Sequence, residues 1–250
     1  MIPGVVDHEP TPRRSQAAES TYMNSTLNTL LGLKTSPVAI SFVDQAPAGI
    51  PHVARAEAAG CGYWRRAAEG QAFYTEAADH LNCAVGAHTH NVPMGPEKQE
   101  ELKGLIGTMV GLSYLTMADV PKIPQRKTAL RYAVYAPLAE AVGTPSVVMI
   151  RGDVRQLMLL SEAAQAAGIG STGPTMGRPT CAVIPEAING AHASASFGCV
   201  GNRVYTGASD NEGYFAIPGE KLAALETSLA VAVRANAELE KFHRARLQTI

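Results

Sequence analysis

Two rhythms of apolar and polar positions run through the chain. Short apolar runs, bounded by Gly, Pro and polar clusters, read as strands: "PVAISFVD" (37–44), "QAFYTEA" (71–77), "LRYAVYAPL" (130–138), the run at 146–151, "HASASFG" (192–198) and "GYFAIP" (213–218). Between them, apolar residues at three- and four-residue spacing predict helices at about 21–33, near Cys61, at 96–112, at 153–168 and at 219–246. Asp153 and Gly168 are the natural N- and C-terminal caps of the fourth of these, and Pro185 starts a helical turn at 185–190. The stretch through Cys83 carries neither rhythm and reads as a loop. The mixture predicts an α+β or mixed α/β fold.

The pattern also repeats. "CGYWRRAAEG" (61–70) returns as "CAVIPEAING" (181–190), with Cys61, Ala67 and Gly70 falling on Cys181, Ala187 and Gly190. An apolar run ending in Asp precedes each, and Asp44 falls on Asp153. A second cysteine followed by glycine comes after each, Cys83 in "LNCAVG" and Cys199 in "FGCVGN". A Gly/Pro–Glu-Lys start then opens a helix in which Leu102, Ile106 and Val110 match Leu225, Leu229 and Val233. This ordered set predicts an internal duplication: a mobile tail at 1–20, a first αβ half at 21–121, a linker at 122–128 ("KIPQRKT" lies there) and a second αβ half at 129–250, packed as one body.

Composition alters this picture in one respect. With 46% apolar and 17% charged residues the chain suits a sizeable core, and 21 basic against 22 acidic residues leave no footprint for nucleic acid. No signal-peptide core and no membrane-spanning run is visible, which predicts a cytoplasmic protein. In a reducing compartment, four cysteines point to free thiols, redox chemistry or metal rather than to structural disulfides.

If the halves meet across a pseudo-twofold, Cys61 and Cys83 face Cys181 and Cys199. Four thiolates converging from two directions make a soft-ligand site suited to an iron–sulfur cluster of the four-iron (4Fe-4S) kind, with zinc as the alternative. Their spacing is unlike the close pairs of zinc ribbons or ferredoxins. Buried cysteines acting as small hydrophobes and a redox disulfide remain open readings. The stretches "HLNCAVGAH" (80–88), "TMGRPTCAVIPEA" (175–187) and "SFGCVGNRVYTG" (196–207) together resemble the domain of unknown function 169 family of archaea and bacteria. The resemblance runs from about Leu27 to Glu240 and includes the four cysteines. It implies that these positions matter and names no reaction.

Other constellations weigh less. "GIGSTG" (168–173) has the spacing of a dinucleotide fingerprint but follows a helix rather than a strand, so it reads as a loop leading to Arg178. His88 and His90, two apart in an extended loop, would lie on one side near Cys83, as ligands or hydrogen-bond donors. Arg203, four residues beyond Cys199, carries a fork of donors suited to a carboxylate, or to an ion pair with Glu212 or Asp210. The first functional expectation is an enzyme, an iron–sulfur oxidoreductase or lyase, whose cluster acts as Lewis acid or electron donor. Its substrate is small, polar or anionic, and is oriented by Arg203 and His88. A non-catalytic sensing module with a structural cluster or zinc, or a cofactor-free binder with buried thiols, is the alternative.

Overall fold

The computed structural model describes residues 25–172 and 179–248. The expected tail at 1–20 and Arg178 lie outside the described residues.

The order of elements follows the apolar rhythm closely. Helix α1 (Thr26–Leu31) leads to β1 (Val38–Val43), then α2 (Gly60–Ala68) and β2 (Phe73–Glu76). A 3-10 turn at Ala77–Asn82 runs into α3 (Ala84–Thr89), followed by α4 (Pro96–Gly111), β3 (Tyr132–Pro137) and β4 (Val147–Asp153). Helix α5 (Val154–Ala166), the two-residue β5 (Ser171–Thr172), a 3-10 turn at Thr180–Ala182 and α6 (Val183–Gly190) come next. Then β6 (Ala193–Ser196), α7 (Val200–Thr206), β7 (Glu212–Pro218) and the long α8 (Leu222–Leu247) complete the chain.

The strands form one sheet in the order β2-β3-β1-β4-β7-β6-β5, antiparallel except where β5 joins β6. Alternation along the strands explains two cores. Val38, Ile40, Val147, Met149, Tyr214 and Ala216 point to one face, where α2 and α6 cover them with Tyr63, Trp64, Val183, Ile184 and Ala187. Val148, Ile150, Phe215 and Ile217 point to the other, against Leu27 of α1, Leu157 and Leu160 of α5, and Leu225 and Leu229 of α8. The apolar run Val147–Ile150 is thus buried on both sides, which is why it lacks polar alternation.

Registers fix the site's framework. Strand β1 meets β4 through Val38↔Met149, Ala39↔Val148 and Ile40↔Val147. Val38 pairs with Pro137 of β3, and Val147 with Pro218 of β7. Outward from these, Phe73 of β2 pairs with Tyr135, and Ser194 of β6 with Ala216.

Three expectations are corrected. Strand β3, expected to open the second half, lies between β1 and β2 of the first. The two Glu-Lys helices occupy unlike places, α4 before β3 and α8 after β7, and α4 buries no residue. The stretch through Cys83 is helical: Cys83 caps α3, so His88 and His90 do not share one side of an extended loop. Asp153 does cap α5, in a reciprocal box with Gln156 (2.9 and 2.8 Å). No helix among the described residues is long and apolar enough to cross a membrane.

Candidate functional site

All four cysteines are free and half-buried, on the face of the sheet covered by α2 and α6. Cys61 lies in the first turn of α2 and Cys181 in the 3-10 turn that opens into α6. Cys83 and Cys199 are N-caps of α3 and α7. Helix α2 packs against α7, and α3 against the 180–182 turn, so each first cysteine is brought toward the second cysteine from the far part of the chain.

The thiols feel one another. Cys61 is pushed up to about 12, by burial first, then by the charges that Cys199 and Cys83 would carry. Cys181 is raised too, by burial first; the Thr89 hydroxyl opposes this, and Cys83, Cys199 and Cys61 reinforce it. Both are therefore neutral thiols at pH 7 unless a cation displaces their protons. Among the described residues, no three His, Cys, Asp or Glu side chains stand close enough to hold one metal ion.

Polar groups line the thiols. The Asn202 backbone N–H donates to Cys199 Sγ at 3.4 Å, and the Cys199 N–H donates to the Thr180 hydroxyl at 2.6 Å. The Asn202 side chain is buried against Cys61 and Tyr214 and opposes the rise in pKa of both. Gly86 leaves room at Cys83: a Cβ there would lie 3.8 Å from the sulfur. Asn202, Thr89 and Thr180 were not singled out by spacing; the only sequence signal was their nearness to the cysteines.

The other expected site residues sit elsewhere. Arg203 donates to the carbonyls of Phe197, Ser209 and Glu212, and packs against Gly198. It binds the Glu212 backbone, whereas Arg151 takes that residue's carboxylate at 2.7 Å. His88 turns to the Ile123 carbonyl at 3.4 Å. His90 is buried, its ring stacked on His80 with centroids 4.9 Å apart. Behind it lies Arg126, from the polar stretch expected to be a linker. That guanidinium is buried 3.7 Å over the Phe42 ring.

A family model described as uncharacterised ArCR, domain of unknown function 169, matches residues 26–228. No curated protein and no solved structure matches the chain.

Proposed function

The chain belongs to the domain of unknown function 169 family, and from that premise we propose that it is a four-cysteine iron–sulfur protein acting on a small polar or anionic molecule. One observation carries this reading: Cys61, Cys83, Cys181 and Cys199, more than 100 residues apart in sequence at the extremes, come together in one half-buried place, where the others raise the pKa of Cys61 and Cys181.

The donor set fits such a group. Around a single zinc with bonds of about 2.3 Å, four sulfurs stand only about 3.8 Å apart in a tetrahedron. A cluster gives each thiolate its own iron and so spaces the sulfurs more widely than a single ion does. The Asn202 side chain supplies a donor toward the Cys61 sulfur. When bound, a cluster of this kind supplies electron transfer or a Lewis-acidic iron. The chain's own part is to hold four thiolates, to set the donors around them and to limit water at the half-buried site.

The sheet registers support an internal duplication with boundaries of about 38–137 and 147–218. Set Val38 on Val147. The pair Val38↔Met149 then becomes Val147↔Ile40, which is present, and Ala39↔Val148 maps onto itself. The same step sets Pro137 on Pro218, each leading into a 3-10 turn with nearly equal angles (φ −53°, ψ 140°; φ −55°, ψ 134°). It also sets Asp44 on Asp153 and Phe73 on Ser194. Each unit reads strand, helical segment with the first cysteine (α2, or the 180–182 turn with α6), outer strand (β2 at the edge, β6 next to the short β5), helix capped by the second cysteine, middle strand. Helices α4, α5 and α8 are then additions to the repeat. A pseudo-twofold through Ala39 and Val148 sets Cys61 toward Cys199 and Cys181 toward Cys83, the pairings in which the thiol–thiol influence is greatest.

The test is purification without oxygen. We expect brown protein with broad absorption near ~400 nm, arising from thiolate-to-iron charge transfer, and iron and sulfide in equal amounts. Single Cys→Ala changes should lower iron content and thermal stability together. Stoichiometric zinc without sulfide would move the reading to a structural metal site.

A further inference from the structure

The buried cluster behind the cysteines is chemically incomplete. Arg126 Nε and Nη1, His80 Nδ1, His90 Nε2 and the Tyr135 hydroxyl are all shielded from solvent, and none has a hydrogen-bond partner among the described residues. Native interiors pair nearly all such groups, so five unpaired atoms on four neighbouring side chains call for a cause. Arg126 is the extreme case. Its guanidinium remains charged, and its one side-chain hydrogen bond is a long contact of 3.4 Å from Nη2 to the Thr128 hydroxyl. No carboxylate among the described residues forms an ion pair with it, and the Phe42 ring offsets only part of the cost of burying a charge.

The four side chains form one group. His80 stacks between His90 (4.9 Å) and Tyr135 (6.3 Å), and Arg126 depresses the basicity of both imidazoles, after burial as the main cause for each. The hydrogen bonds define what the group still lacks. His90 Nδ1 lies 3.0 Å from the Gly86 carbonyl, which can only accept, so Nδ1 carries the proton and Nε2 offers a lone pair. An acceptor is therefore needed at Arg126 and a donor at His90.

We propose that Arg126, His80, His90 and Tyr135 bind a small hydroxy acid, its carboxylate on Arg126 and its hydroxyl donating to His90 Nε2. A monoanion matches the single fixed positive charge; a phosphate dianion would leave excess charge buried. The Tyr135 hydroxyl completes the contacts to the carboxylate. The site adjoins the cysteines: a Cβ on Gly60, the residue before Cys61, would lie 3.6 Å from His80 Nδ1, and Gly86 packs on Cys83. The inference stands on the unpaired atoms and does not depend on which metal the thiols hold. Entry requires movement of the irregular stretch between the 120–122 turn and β3, which carries Arg126.

The experiment is calorimetric titration of the full chain, purified without oxygen, with lactate, pyruvate and inorganic phosphate. Saturable lactate binding, stronger than that of pyruvate or phosphate, is expected. Arg126→Met should weaken it roughly 100-fold and Tyr135→Phe roughly tenfold, the ranges for charged and neutral hydrogen bonds. Should Arg126→Met fail to fold, Tyr135→Phe decides. No saturable lactate binding would overturn the proposal, and so would binding that both variants retain in full or pyruvate binding as tight as lactate. Iron and sulfide content, measured on the same samples, reports separately on the cysteine site.

Discussion

Glu212→Gln tests how the strand β7 and the helix bearing Cys199 are tied together. The Glu212 carboxylate is buried at the start of β7. Its Oε2 accepts from Arg151 Nη2 (2.7 Å) and Nε (3.1 Å) and from the Ser209 N–H (2.8 Å) and hydroxyl (2.9 Å). Arg151 in turn donates to the carbonyls of Thr206 and Gly207, where α7 ends. Burial alone would raise the acid's pKa, but these donors outweigh it and hold the carboxylate at about 2 against an ordinary 4.5. A folded value below the unfolded one stabilises the protein above pH 4.5, and that stability disappears as pH falls toward 2. The difference amounts to about 3 kcal/mol at pH 7 and about half of that at pH 3. Urea unfolding of wild type and Glu212→Gln at pH 7, 5, 4 and 3 gives the difference directly, and acid effects common to both chains cancel. The gap should be widest at neutral pH and about halve by pH 3. A gap under about 1 kcal/mol at pH 7, or one that does not change with pH, would refute the reasoning.

Two further outcomes follow from the site. Loading the reduced, metal-free chain with zinc at pH 7 as a probe should release at least two protons, from Cys61 and Cys181, both raised by burial and by neighbouring thiols; an indicator dye in weak buffer counts them, and release of none would mean the thiols take no part. Arg203→Lys should lower stability by about 2 kcal/mol while leaving iron content unchanged, because a lysine cannot span three backbone carbonyls; a melting curve identical to wild type would assign Arg203 elsewhere.

Much of the fold was legible because local signals and burial agree. The apolar run 147–150, the Asp153–Gln156 box and the glycine at 168 each report a local necessity. The short helices α3 and α7 were not legible. "AVGAHT" and "VGNRVYT" are glycine-containing segments of six and seven residues that hold no helix alone and form here against α2 and the 180–182 turn. Their cysteine caps hid them further, since an N-cap is expected to be Ser, Thr, Asp or Asn. Arg126 was lost for a different reason. A polar stretch reads as exposed linker, and nothing in "KIPQRKT" announces that one guanidinium turns inward onto Phe42. The placement of β3 was also out of reach, because chain order does not fix strand order when α4 separates a strand from its partners.

In the proposed duplication, the way the two units join bears on what the cysteines do for the fold. Within the units the strands are paired over long registers, six pairs between β1 and β3 and seven between β4 and β7, but β1 and β4 share only three. The hydrogen-bonded seam is therefore shorter than its two flanking pairings, and side-chain packing on the α2–α6 face adds to it. On that face the largest thiol–thiol influences, of Cys199 on Cys61 and of Cys83 on Cys181, both cross the seam. A group bonded to all four sulfurs would fasten the units at two places above the three-pair β1–β4 contact. Without it, two strongly desolvated thiols sit at the same seam, making no bond across it. On the proposed reading, metal binding and cohesion of the two units would be one equilibrium, so a ligand that loosened the cysteine turns would also loosen the sheet.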